Sequence, residues 1–183
     1  FLPTHVNRNA ALFDACLEFA RDGGTIDFTG NEDIDYWETI CDEVRVCTGI
    51  RRLLDAGISS DRFTISSDGQ GSLPIFNSDG EFQGIGIGKA SCLLKEVREC
   101  VQREGIPLEL AVKGITSNPA SVLKLTGKGH LKPGFDADLC LLKEDTLELD
   151  TVIARGRVMV RGGKQQVYGT CEKQKVQRLP HRG

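Results

Sequence analysis

The run FTISSDGQGS, residues 63–72, decides how this chain is read. Phe63, Thr64 and Ile65 are apolar or β-branched and predict a strand. The strand runs into Ser-Ser-Asp-Gly, a turn that sets the Asp68 carboxylate just past its carboxyl end. In a parallel α/β protein that end is where loops converge and ligands and metals collect. The opening, FLPTHVNR over residues 1–8, repeats the pattern: apolar residues, then His5, then Arg8, before a helix-like segment. His and Asp at strand ends are side-chain types that a catalytic divalent metal takes. Each alone also suits a plainer role, a turn former or helix cap for Asp68 and a solvated helix-start charge for Arg8. Their recurrence in one α/β rhythm favours a site.

Strand-like and helix-like segments alternate outward from this run. Residues 1–6 predict a strand. Residues 10–22 predict an amphipathic helix with Leu12, Ala15, Cys16, Phe19 and Ala20 on its apolar face, ended by Gly23-Gly24. A short strand follows over 25–29, then an acidic loop over 30–38 carrying Trp37. A helix over 39–56 has Val44, Cys47, Ile50, Leu53 and Leu54 inward, and the 62–66 strand delivers Asp68. This order implies parallel strands joined by right-handed crossovers. The Gly-rich stretch 69–88, with Gly84, Gly86 and Gly88, lacks the spacing and context of a dinucleotide loop and reads as a flexible connection over the site. Helices are expected over 89–104 (Ala90, Leu93, Leu94, Val97 and Val101 inward), from Pro107 to about residue 116, and from Asn118-Pro119 to Leu125. Beyond these, short alternating runs with Pro-Gly and Gly-Gly turns predict β structure in a small sandwich portion. The expected division is 1–125 for the β/α part, 126–172 for the β part, and a frayed basic tail over 173–183.

With 183 residues and a formal net charge of -3, nothing suggests a general attraction to nucleic-acid phosphates. No stretch is long and apolar enough to span a bilayer, and no secretory signal pattern is present. The seven cysteines show neither CxxC nor finger spacing. They are expected to be reduced, mostly buried, in a cytoplasmic protein. The chain opens at Phe1, its one methionine being Met159, and reads as the later part of something longer.

Five blocks in order, FLPTHVNR, GGTIDFT, ISSDGQGS, LTGKGHLKPGFDADL and VIARGRVMVRGGK, resemble the carboxyl-terminal half of the isoaspartyl dipeptidases (β-aspartyl peptidases), a family of the amidohydrolase superfamily. The resemblance runs over residues 1–172. The PG-x-DADL run is common to many amidohydrolases, whereas THVNR with SSDG-x-GS is more specific. It implies the carboxyl-terminal part of a TIM-like (β/α)8 barrel, about three strands, followed by the small β portion. It also implies a two-metal centre, normally Zn2+, in a metalloprotease acting on small β-aspartyl dipeptides, homo-oligomeric in full-length form.

On that resemblance His5 and Asp68 are metal ligands, Asp68 also shuttles a proton, Arg8 binds the substrate's α-carboxylate and Ser72 helps hold its carboxylate end. Without it, Ser72 is a turn hydroxyl and His130 a surface residue. A metal-bound water supplies the nucleophile for amide hydrolysis, and a carboxylate can take its proton and pass it on. An isoaspartyl bond leaves a free α-carboxylate beside it, which the planar fork of an arginine matches. The His-x-His pair, the carboxylated lysine and a further His of the family's ligand set have no counterpart in the sequence. The chain alone is therefore expected to bind zinc weakly, hydrolyse nothing, and be marginally stable with apolar surface exposed. The alternatives are another amidohydrolase, deacetylase or dihydroorotase-like, or a catalytically inactive truncated chain.

Overall fold

The computed structural model describes residues 1–31, 34–77 and 79–169. The expected tail over 173–183, with His181, and Cys171 lie outside these residues. The described chain divides into two units, residues 1–129 and residues from His130 on.

In the first unit, helix α1 (Ala10–Arg21) starts where Asn9 accepts a hydrogen bond from the Leu12 amide, and stops before Gly23, whose φ of 96° glycine tolerates. Strands β1 (Ile26–Thr29) and β2 (Phe63–Ser66) pair in parallel, with Asp27 opposite Thr64 and Thr29 opposite Ser66. The predicted strand over 1–6 is an extended segment rather than a regular strand. The Asp27 amide donates to the Pro3 carbonyl (2.9 Å) and the Val6 amide to the Asp27 carbonyl (3.3 Å). Between these two bonds His5 turns to a φ of 57°, which interrupts the pleat.

Helices α2 (Ile34–Cys41) and α3 (Val46–Asp55) lie between the two strands. The first occupies most of what reads in sequence as a loop, and the second begins later than expected. Because Asp27 and Thr29 alternate with Ile26 and Phe28, the sheet has a polar and an apolar face. On the apolar face Phe28 meets Phe13 at 5.8 Å and Phe63 at 6.4 Å between ring centroids. Helix α3 comes so close that a Cβ on Gly49 would stand 2.5 Å from the Phe28 ring, which leaves room for glycine alone. Helix α1 buries Phe13, Leu17 and Ala20, while Leu12, Ala15 and Phe19 of the predicted stripe are exposed. Both stripes have helical spacing, and the helix turns toward the sheet the one whose phenylalanine reaches Phe28.

The Gly-rich stretch is a hairpin and not a loop: β3 (Ser72–Phe76) pairs antiparallel with β4 (Phe82–Ile87). Phe76 stacks on Tyr36 of α2, centroids 5.8 Å apart. Helix α4 (Cys92–Gln102) buries Cys92, Glu96, Val97 and Cys100. Ala90 of its predicted stripe is exposed, and Leu94 is half-buried. The short α5 (Leu108–Ala111), a 3₁₀ turn (Val112–Ile115) and α6 (Ser117–Val122) follow. Pro107 caps α5 from outside rather than opening it. Among the described residues no helix is long and apolar enough to cross a membrane.

The second unit is one antiparallel meander of β5 (Leu139–Leu142), β6 (Leu149–Ala154), β7 (Arg157–Arg161) and β8 (Lys164–Gln165). Among the described residues it has one sheet, where a small sandwich portion was expected. Of the cysteines, Cys47, Cys92 and Cys100 are buried, whereas Cys41 and Cys140 are exposed, against the expectation of general burial.

Candidate functional site

The polar face of the β1–β2 pair ends in a cleft. Arg8, Thr29, Gly30, Asn31, Ser67 and Asp68 line it, together with Leu73, Gly88, Lys89 and Cys92. Below the cleft, buried Asp27 ties three segments together through hydroxyl donors: Thr4 and Thr64 at 2.6 Å and Ser66 at 2.7 Å. A carboxylate accepting from both neighbours is fully hydrogen-bonded, so it sits in the sheet without an unpaired acceptor.

Asn7 fixes the segment that carries His5 and Arg8. It is fully buried, its Oδ1 accepts from the Thr29 amide (2.9 Å), and its Nδ2 donates to the Thr29 carbonyl (3.1 Å) and the Val44 carbonyl (3.2 Å). His5 Nδ1 lies 2.8 Å from Thr29 Oγ1 and 3.4 Å from Arg8 Nη2. With Nδ1 engaged inside the chain, Nε2 is the ring nitrogen left for a ligand. Asp68 has a φ of 46°. His5 and Asp68 are thus both in the left-handed region, which His and Asp visit more readily than most residues and which is a recurrent feature of functional sites. The base of the hairpin closes on Asp68. The Gln70 amide donates to Gly88 (3.0 Å), the Gly88 amide to Gly71 (2.9 Å), and a Cβ on Gly88 would stand 3.0 Å from the Asp68 carbonyl oxygen.

The fold therefore brings Arg8 and Asp68 into one cleft, with His5 held against two residues of its wall. Ser72 stands apart. It is exposed at the start of β3, opposite Ile87, and its neighbour Leu73 lines the cleft instead. Alternation along the strand turns adjacent side chains to opposite faces, which a turn-based reading of 69–88 does not anticipate.

Two buried carboxyls beside the cleft were not singled out by the sequence. Glu96 of α4 accepts from the Asn31 amide (3.1 Å), and the neighbouring Lys95 ammonium donates to the Asn31 carbonyl (3.0 Å). Burial pushes the Glu96 carboxyl up to about 7, against the hydrogen bond from Asn31. Glu43, 3% exposed, is 3.6 Å from Arg8, and burial raises its pKa while the Arg8 charge opposes the shift. Helical periodicity could have placed Glu96 beside Val97 and Cys100, but an acidic residue in an amphipathic helix is ordinarily assigned to the solvated side.

His5 and Asp68 are the two metal ligands expected from the sequence. Among the described residues no group of three or more His, Cys, Asp or Glu side chains is arranged to hold a metal. A catalytic zinc takes three protein ligands and a water, so the residues present do not by themselves fit the complete centre.

The sequence profile of the amidohydrolase family matches residues 4–162. The chain belongs to the amidohydrolase family. Among solved amidohydrolase-like structures, the β-aspartyl dipeptidase of the thermophilic, keratin-degrading Fervidobacterium islandicum AW-1 in complex with β-Asp-Leu dipeptide is 36% identical, with a TM-score of 0.75. The match covers 92% of this amidohydrolase chain and 42% of that one. A second structure of that dipeptidase gives 32% identity and a TM-score of 0.73, covering 92% and 40%. N-acetylglucosamine-6-phosphate deacetylase from Pasteurella multocida shares the fold at 17% identity and a TM-score of 0.52, over 75% of this chain and 37% of that one. The resemblance to β-aspartyl dipeptidases thus extends over almost the whole chain, which spans less than half the length of those relatives.

Proposed function

We propose that this amidohydrolase chain forms part of a metal-dependent β-aspartyl dipeptidase, contributing the wall that receives the substrate's aspartyl carboxylate. The observation that carries the reading is the joint lining of one strand-end cleft by Arg8 and Asp68. The relative at 36% identity was solved with a β-Asp-Leu dipeptide, which supports the substrate class. In this reading the described β/α elements of residues 1–125 belong to a (β/α)8 barrel as its last three strands and following helices, and 126–172 is the small β domain portion. Arg8 receives the α-carboxylate that an isoaspartyl linkage leaves free. Asp68 takes a proton from the attacking water and returns it to the leaving amine. Ser72 would reach the substrate's carboxylate only through the hairpin. Zinc would polarise the carbonyl and acidify the water, with His5 and Asp68 as two ligands of a set that the described residues leave incomplete. Assembly as a homo-oligomer and a cytoplasmic location belong to the same proposal.

The test is steady-state kinetics with metal analysis in a polypeptide that supplies the remaining ligands. Asp68→Asn should abolish turnover of β-Asp-Leu. Arg8→Ala should raise KM with metal content unchanged. Near-normal turnover in the first variant, or metal loss without loss of substrate affinity in the second, would overturn these roles. The 183-residue chain alone should hydrolyse nothing.

A further inference from the structure

Glu43 stands in the link between α2 and α3, beside the segment that presents Arg8. The link is strapped to that segment, since the Val44 amide donates to the Asn7 carbonyl (2.9 Å). Glu43 Oε1 accepts from Asn7 Nδ2 at 3.4 Å, and Oε2 lies 3.6 Å from Arg8 Nη1. The two side chains differ in exposure: 2% for Glu43 and 36% for Arg8. Arg8 thus touches a buried carboxylate through Nη1 while lining the cleft together with Asp68.

We propose that Glu43 is the positioning residue for Arg8, holding the guanidinium so that its outer edge faces the substrate's α-carboxylate. The inference rests on the dipeptidase reading for the identity of that substrate. An arginine with no anchor spreads over many rotamers, and a carboxylate binding to it must first collect them. A buried anion removes that freedom in advance, and the five donors of the guanidinium leave enough to serve the ligand as well. The second nitrogen, Nη2, is steadied by His5 Nδ1 at 3.4 Å, which narrows the orientation further. A purely structural Glu43 would need only its hydrogen bonds with Asn7 and Asn31, and Glu43→Gln keeps an amide oxygen acceptor and the side chain's size while removing the charge.

The experiment uses the 183-residue chain with two measurements. One is the Arg8 side-chain 15N spectrum, which reports whether the guanidinium is rotationally restrained. The other is calorimetric affinity for β-Asp-Leu and for its counterpart with the α-carboxylate converted to an amide. Glu43→Gln should average the Arg8 signals, weaken β-Asp-Leu about tenfold and shrink its advantage over the amide, as expected when a buried charge partner is removed. Glu43→Asp should recover part of both effects. Unchanged Arg8 signals and affinity in Glu43→Gln, with Arg8→Ala still weakening the dipeptide, would overturn the positioning role and leave the dipeptidase reading standing. Full affinity in Arg8→Ala would count against the dipeptidase reading, and the Arg8 spectrum would then decide the role of Glu43; it decides that role as well if the unaltered chain does not bind the dipeptide. Should Glu43→Gln unfold the chain, Glu43→Asp alone decides: restrained signals support the role, and signals no different from those of Arg8 in a solvated setting overturn it.

Discussion

The two units of this chain hold themselves together by different means. Residues 1–129 bury a continuous cluster in which Phe13, Phe28, Phe63, Ile26, Ile50 and Leu53 are fully covered. In the described part of the second unit, Leu147 and Thr151 alone are buried, at 8% and 9% exposure. Its sheet is a hydrogen-bonded meander with most side chains half-covered. Antiparallel hairpins close locally and cheaply, so a ladder can form with little core beneath it. Parallel strands need crossovers, and their pairing is supported by the helices that cover them. The candidate site stands on the unit that carries the core.

This contrast is sharpest in truncations. Phe28→Ala should cost about 3–5 kcal/mol, as for other large-to-small changes at filled aromatic sites. Val158→Ala, at a half-buried position of β7, should cost roughly 1 kcal/mol or less. Denaturant unfolding with hydrogen-exchange readout separates the two: amides of 10–55 should lose protection in the first variant and not in the second. Comparable losses would erase the distinction between a core-built and a ladder-built unit.

Titration of Glu96 gives a smaller effect confined to the first unit. Its folded-state pKa, raised from 4.5 to about 7, exceeds the unfolded value. The folded state therefore holds a proton that the unfolded state releases. Stability contributed by the neutral carboxyl is complete below 4.5 and is lost as pH rises through about 7. The full loss is on the order of 3 kcal/mol. Glu96→Gln should flatten this slope, so that the variant gains on the parent at pH 8 relative to pH 5. Asn31, Lys95, Glu99 and Glu43 also act on this carboxyl. A parent chain equally stable at both pH values would show that water or rearrangement relieves it.

Thiol labelling detects the smallest difference. Cys41 should react in the native chain. Cys140, exposed but with its thiol pushed up by burial, should react in the native chain more slowly than Cys41, and Cys47, Cys92 and Cys100 should wait for loss of the core. Burial drives the Cys100 thiol far above its ordinary range, so it contributes almost no thiolate while folded. Peptide mapping by mass spectrometry reads the order, and labelling of Cys100 ahead of Cys140 would contradict the ranking of the two units.

Much of the site's scaffold was legible because it depends on short-range pattern. Phe63 to Ile65 alternate into a strand that Ser66 completes, Asp68-Gly69 favours a turn, and Asp68 falls just past the strand's end. The same holds for His5 and Arg8 ahead of α1. The hairpin was less legible because glycines at 84, 86 and 88 mimic a loop, and its pairing depends on contacts across the turn. Trp37 reads as part of an acidic loop, but α2 is held by Arg45, which pairs with both Asp35 and Glu38. No local pattern announces that cation.

What the sequence determined by itself is the alternation of strands and helices from α1 onward, the position of Asp68 just past a strand's end, that of Arg8 ahead of α1, and the family to which the chain belongs. Those are properties of neighbouring residues and of motifs, and they survive without knowing what packs on what. Tertiary structure alone decided that Leu17 rather than Phe19 faces inward, that Leu73 rather than Ser72 lines the cleft, and that Glu43, Glu96 and Asp27 are buried. A carboxylate goes inside only where donors from distant segments meet it, as Thr4 and Thr64 meet Asp27. That meeting is a property of the folded chain, since the penalty for burying a charge is offset only by partners that folding itself assembles.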